Sequence, residues 1–150
     1  KKNVAQQGTA TQSSLLATEK YERAANAIDG RKDNTYYSAS CTHTKHELSP
    51  WWRLQLNKSY KISTIKITNR GECCAMRLQG AEIHVGDTLN VTKNPKCGTF
   101  TSNVAGATET FCCNGMEGRY VTIVIPGRKE YLTLCEVEAF VVPAQCQKFS

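Results

Sequence analysis

Two arginines bracket an adjacent pair of cysteines in the run Asn69-Arg70-Gly71-Glu72-Cys73-Cys74-Ala75-Met76-Arg77, directly after a stretch with strand character. A guanidinium presents several N–H donors in a rigid planar fork and keeps its charge at every physiological pH. Two of them, together with the imidazole of His43, suit a ligand that displays fixed hydroxyls and a ring oxygen, as a monosaccharide does. Glu72 lies between Arg70 and the cysteines, where its carboxylate either orients a guanidinium or is solvated in a turn. Cys73-Cys74 is geometrically awkward, because neighbouring Cα atoms are about 3.8 Å apart, below the usual disulfide range. By default each cysteine of such a pair bonds elsewhere, and the same default applies to Cys112-Cys113.

The elements that must position these residues read as strands. Apolar and polar residues alternate with period two in Tyr60 to Asn69 and again at Ala81, Ile83 and Val85. Trp51 to Leu56, following Pro50, has the same character. Tyr120 to Ile125 and Leu132 to Val142 are rich in β-branched residues, and the Pro126-Gly127 turn between them predicts a hairpin. Only Tyr21 to Ile28 has a helical pattern, and Asp29-Gly30 ends it. An antiparallel β-sandwich of jelly-roll type is the expected architecture, with function on loops around residues 12–20, 26–46, 69–79 and 93–118.

At 150 residues the chain is expected to form one domain with its own core. Eight cysteines, an even number, point to disulfides and an oxidising compartment. The N-terminal residues lack the apolar stretch of a leader, and no apolar run approaches the roughly 18 residues needed to cross a bilayer. The chain is therefore expected to be a mature, secreted protein with no membrane insertion. Asn57-Lys58-Ser59 and Asn90-Val91-Thr92 match the N-glycosylation pattern. The net charge of +6 is spread in ones and twos, as at Arg31-Lys32 and Arg128-Lys129, so no nucleic-acid surface is expected. No internal repeat or linker is evident.

Enzyme chemistry finds no pattern. Glycoside hydrolysis needs two carboxylates across a cleft, a triad needs a nucleophile held by a base, and zinc needs paired ligand spacings. None of these is recognisable.

Beyond the arginine–cysteine segment, His43 stands at a characteristic spacing ahead of Arg70. Asn26-Ala27-Ile28-Asp29-Gly30, Ser40-Cys41-Thr42-His43, Pro50-Trp51-Trp52-Arg53, Gly118-Arg119-Tyr120-Val121 and Leu134-Cys135-Glu136-Val137 add further landmarks. Together they resemble the F-type lectin, or fucolectin, family over nearly the whole chain, as a single domain spanning residues 1–150. Glu72 departs from the family's usual Asp. The resemblance implies an all-β jelly-roll sandwich, discoidin-like or galactose-binding-domain-like and tied by disulfides, which binds terminal L-fucose on glycans.

The resemblance also implies roles. His43, Arg70 and Arg77 hydrogen-bond the sugar, Glu72 orients the guanidiniums, and a disulfide between Cys73 and Cys74 packs on the sugar ring. Tyr37, rather than Tyr36, walls the fucose methyl, with residues of the 14–18 loop nearby. The remaining disulfides are Cys41 with Cys135, Cys97 with Cys113, and Cys112 with Cys146, although eight cysteines admit on the order of 100 pairings. A structural Ca²⁺ is held by the side chains of Asp29, Ser40 and Glu136 and the carbonyls of Asn26, Arg31, Ser40 and Cys135. Fucosylated glycans, a homo-oligomer (a trimer in relatives) and innate immune recognition complete what the family implies. A discoidin-like adhesion module, binding protein or anionic lipid through loop tips, is the rival.

Overall fold

A computed structural model describes residues 2–17, 22–31, 33–36 and 39–146. Its framework is a pair of long strands, β3 (Trp51–Thr68) and β6 (Thr108–Val124), with β1 (Thr9–Gln12), β2 (Glu47–Leu48), β4 (Glu82–Gly86), β5 (Lys96–Thr99), β7 (Lys129–Glu130) and β8 (Glu136–Val141) around them. The main sheet runs β1-β3-β6-β4-β5, with β8 also paired to β3, and β2 pairs with β7. All of these pairings are antiparallel. This is the expected galactose-binding, discoidin-like β architecture.

The two strands expected around Trp51 and Tyr60 are one. Irregularities at Gln55/Tyr60 and Ile62/Thr64 interrupt the pairing of β3, and opposite β8 the residue Ser63 is the extra one. A bulge of this kind bends a strand and changes which alternate residues face inward. Trp52, Leu54, Leu56 and Ile62 therefore point into the same core as Ile65 and Ile67, and Phe111, Val121 and Ile123 of β6 join them. Trp52 is fully enclosed and donates from its indole N–H to the carbonyl of Ala24 at 3.0 Å. Loss of such an anchor costs about 3–5 kcal/mol.

Three expectations are corrected. No hairpin forms across Pro126-Gly127, because β6 and β8 both pair with β3. The intervening chain is captured elsewhere. Leu132 N–H and Leu134 N–H donate to the hydroxyls of Thr44 and Thr42, whose own N–H groups donate back to the carbonyls of Leu132 and Leu134. These reciprocal bonds satisfy Leu132–Leu134 outside the sheet, and strand structure resumes only at Glu136. The helical pattern over Tyr21 to Ile28 yields only a 3₁₀ segment, Ala24–Ile28, with Tyr21 outside the described residues. The supposed loop 93–118 contains β5 and much of β6, joined by the Cys97–Cys113 disulfide. Alternation there is hidden by Cys112-Cys113 and by Asn114 and Gly115, both at positive φ.

The four disulfides pair as the family resemblance implies: Cys41–Cys135, Cys73–Cys74, Cys97–Cys113 and Cys112–Cys146. Cys41–Cys135 closes a separation of 94 residues. A loop of that size loses about 4–5 kcal/mol of unfolded-state freedom in the chain-entropy description.

Candidate functional site: an arginine-lined cleft

Arg70 stands two residues past the end of β3, where the buried side chain of Asn69 braces the turn. Asn69 Oδ1 accepts from Arg70 N–H at 2.8 Å and its Nδ2 donates to the Ala75 carbonyl at 3.0 Å, so one amide spans the loop. Gly71 N–H donates to the Asn34 carbonyl at 2.7 Å, and Gly106 N–H donates to the Arg70 carbonyl at 3.1 Å. A Cβ on Gly71 would meet the Asn34 side-chain amide, so a larger residue here would have to displace it. Glu72 then holds the guanidinium at Nε in an ion pair and accepts the Tyr36 N–H at 3.0 Å.

The Cys73–Cys74 bond joins neighbours whose Cα atoms are 3.7 Å apart. Cys74 takes a left-handed φ of 69°, a conformation L-residues seldom adopt, and its carbonyl accepts the Arg77 N–H at 3.0 Å. The chain reverses there into the turn Ala75–Leu78, which brings Arg77 back over the disulfide loop. The Arg77 carbonyl is fixed in turn by Arg128 Nη2 at 2.9 Å.

His43 lies between the two threonines that clamp Leu132 and Leu134, and this places its ring against Tyr131. Tyr36 flanks the other side, with both ring centroids 5.3 Å from that of His43. Each tyrosine also carries a guanidinium: Arg70 over Tyr36 at 4.5 Å and Arg77 over Tyr131 at 4.6 Å. Tyr36 is anchored by its hydroxyl, which donates to the buried Glu22 carboxylate at 2.8 Å.

The protonation state of His43 follows from its partner. Nδ1 is 2.8 Å from the Thr44 carbonyl, which only accepts, so Nδ1 carries the proton in the neutral ring. Burial lowers the pKa of His43 from the ordinary 6.5. The guanidiniums of Arg70 and Arg77 push the same way, against the Thr44 bond and Glu22. At neutral pH the ring is therefore uncharged, and Nε2 is a hydrogen-bond acceptor. For Glu72, burial raises the carboxyl pKa, but the Tyr36 N–H and Arg70 outweigh it, leaving the group ionised to below its ordinary 4.5.

Leu16, Tyr36, His43, Arg70, Cys73, Cys74, Arg77 and Tyr131 thus line one shallow cleft of about 270 Å³. It combines charged donors, one neutral acceptor and an apolar floor, and none of these lining residues is a carboxylate.

A model of NedA-like, galactose-binding domains matches residues 26–123. Fucolectin-6 of Anguilla japonica is 49% identical over 139 residues, covering 91% of this chain and 74% of that protein. The chain belongs to the fucolectin family. Among solved structures, the fucolectin from striped bass (Morone saxatilis) serum superimposes with a TM-score of 0.88 at 51% identity, over 93% of this chain. This chain spans about half, 47%, of that one. The lectin domain of lectinolysin, complexed with Lewis B antigen, matches with a TM-score of 0.82 at 28% identity, over 93% of this chain and 96% of its own.

In this fucolectin chain the structure assembles His43, Arg70, Arg77, Cys73 and Cys74 around the cleft, with Glu72 behind Arg70. Tyr37 lies outside the described residues. Tyr131 was not legible in the sequence, since a hairpin reading leaves it at an anonymous strand end. Tyr36 was visible only as one of two adjacent tyrosines.

Of the expected calcium ligands, Ser40 and Glu136 each adjoin in sequence one cysteine of the Cys41–Cys135 disulfide, and Asn26 Nδ2 donates to the Cys41 carbonyl at 3.1 Å. Ser40 Oγ is buried without a hydrogen-bond partner among the described residues, and the Glu136 carboxylate is buried as well. Asp29 and Arg31 are exposed on the neighbouring loop, where Asp29 Oδ1 accepts the Arg31 N–H at 2.9 Å. Among the described residues no cluster of three His, Cys, Asp or Glu side chains gathers. The candidate donors are the buried Glu136 carboxylate, the exposed Asp29 carboxylate, the orphaned Ser40 hydroxyl and backbone carbonyls, an all-oxygen set that fits a hard cation.

Proposed function

We propose that this chain is a secreted lectin that binds terminal L-fucose in the cleft and does not hydrolyse it. The observation that carries the reading is the convergence of two guanidiniums and a neutral imidazole over the Cys73–Cys74 disulfide. The names of its relatives, and the Lewis B complex of the lectinolysin domain, support fucose as the sugar.

Each residue has a task. Arg77 half-emerges into the cleft, and its guanidinium bonds no carboxylate among the described residues, so its N–H groups serve the sugar's oxygens. Arg70 donates beside it from a fixed angle set by Glu72. His43 Nε2 accepts a hydrogen bond from a hydroxyl, so the site contains both polarities. Charged hydrogen bonds contribute about 1.5–3 kcal/mol each. The disulfide offers a polarisable apolar surface to a sugar face, and Leu16 and Tyr36 give the methyl an apolar wall. With no carboxylate among the described residues that line it, the cleft shows among those residues no acid–base pair for glycoside cleavage.

Calcium, when bound, would neutralise the buried Glu136 carboxylate and tie the Asn26–Asn34 loop to the strand end. Glu136, Ser40 and Asp29 side chains would hold it, with the carbonyls of Asn26, Arg31, Ser40 and Cys135. A weak monosaccharide site gains strength through multivalency, so a homo-oligomer, trimeric as the family implies, accounts for agglutination of fucosylated targets in innate defence.

Calorimetric titration with methyl α-L-fucoside, D-galactose and D-mannose tests the reading, on calcium-loaded and calcium-stripped protein. Saturable binding selective for fucose and lost in Arg77→Ala is expected. Absence of fucose binding by calcium-loaded, fully oxidised protein would overturn it and leave the adhesion-module reading in its place.

A further inference from the structure

The two N-x-Ser/Thr sequences, neither of which contributes a residue to the cleft lining, are held in different ways. Asn90-Val91-Thr92 lies on the connection between β4 and β5 with Asn90 and Thr92 exposed. Asn90 Oδ1 accepts both the Thr92 N–H at 3.1 Å and the Thr92 hydroxyl at 2.6 Å. That closed turn polarises the side-chain amide, and the β-branched threonine keeps its hydroxyl in place. Asn57-Lys58-Ser59 instead sits in the bend of β3. Asn57 Oδ1 accepts from the Tyr60 hydroxyl at 2.8 Å, and the Ser59 hydroxyl is turned to Asp87 at 3.3 Å.

The surroundings of Asn90 are also distinctive. Leu89 and Val91, its neighbours in sequence, line a groove with Trp51, and Val91 continues into a second hollow of about 390 Å³ against Val124 and Pro126. Leu89 is 60% exposed. Trp51 lies on the sheet's outer face, opposite Val124 in register and stacked under Arg53 at 4.7 Å. Apolar and aromatic walls of this kind pack against the C–H faces of sugars.

We propose that Asn90 carries an N-linked glycan whose first sugars lie over this groove, and that Asn57 is unmodified. The proposal rests on the proposed passage through a secretory compartment. The donor is an oligosaccharide on a lipid pyrophosphate. Asn90 Nδ2 attacks the anomeric carbon of its first sugar, a C–N bond forms as the C–O bond to pyrophosphate breaks, and the amide loses one proton as the lipid pyrophosphate departs. No redox change occurs.

The test expresses the chain behind a supplied leader peptide in glycosylating eukaryotic cells, with glycopeptides mapped from medium and lysate alike. Because the leader is supplied, failure at Asn90 is separate from the question of natural secretion, which is read from the native source, and fucose binding is titrated on the same preparation. One glycan is expected, lost in Asn90→Gln and kept in Asn57→Gln. An unmodified Asn90, or a glycan only at Asn57, overturns the proposal. Trp52 is fully buried, so acrylamide quenching of tryptophan emission reports Trp51. Quenching is expected to rise when the glycan is removed enzymatically, and unchanged quenching would overturn the packing over the groove.

Discussion

The ring of Tyr131 lies 4.6 Å from the guanidinium carbon of Arg77. The same ring makes an edge contact with the ring of His43, so one tyrosine sets the orientation of two groups that line the cleft. Removing the aromatic surface frees Arg77 to sample other rotamers. Tyr131→Ala is expected to weaken fucose binding about two- to thirtyfold, in line with cation–π contributions of about 0.5–2 kcal/mol, while Tyr131→Phe retains most of it. Calorimetry on both variants, with circular dichroism to confirm folding, decides the matter. Equal loss in both would contradict an aromatic role.

Arg77→Ala should remove one or two charged hydrogen bonds and lower affinity about ten- to a hundredfold or more, with little effect on thermal stability because Arg77 is only half-buried. Glu72→Gln leaves Arg70 in place but loses the ion pair that fixes its angle. A smaller loss of affinity is expected, and titration of both variants with methyl α-L-fucoside gives the order.

Binding should depend on pH in one direction. His43 accepts a sugar hydroxyl only when neutral, and its pKa is lowered from 6.5 by burial and then by the two arginines. Affinity is therefore expected to be flat from pH 8 to 6.5 and to fall only in more acid solution, as the ring protonates. Glu72 has a lowered pKa, so its hold on Arg70 persists above 4.5 and is lost as pH falls through the lower folded value, adding a second decline. Fluorescence titration across pH 4–8 would reveal the profile; rising affinity toward acid would contradict the neutral acceptor.

Replacing both Cys73 and Cys74 by serine removes the small ring that turns the chain at Cys74 and the apolar floor with it. The expected result is a folded protein with affinity reduced about tenfold or more. Cys41→Ser with Cys135→Ser opens a 94-residue separation and should mainly lower stability, by several kcal/mol. Denaturant unfolding and calorimetry on the two double variants should therefore separate, the first losing binding and the second losing stability.

The proposed calcium predicts that chelation lowers the melting temperature by several degrees, since an ion bound only by the folded chain stabilises that state. In Glu136→Gln the melting temperature should no longer respond to chelator. Thermal scans with and without EGTA, and with calcium restored, measure this; a chelator-insensitive native protein would remove calcium from the proposed function.

The residues of the cleft were legible because Arg70, Cys73, Cys74 and Arg77 lie on one short segment, where spacing and family resemblance both act locally. Period-two alternation likewise marked the halves of β3 and the strand β4, since a strand with one buried face must alternate. The sequence could not show that β3 is continuous, because the exposed polar run Asn57-Lys58-Ser59, within the register shift between Gln55 and Tyr60, breaks the alternation there. Nor could it place Tyr131 beside His43. That contact depends on four hydrogen bonds between Thr42, Thr44, Leu132 and Leu134, which divert the chain from the hairpin that Pro126-Gly127 suggested. The neutral state of His43 was equally a tertiary outcome, because burial, a carbonyl at Nδ1 and two approaching guanidiniums belong to no local pattern. The local sequence determined which groups would line the cleft; long-range hydrogen bonds and disulfides decided how they are oriented and charged.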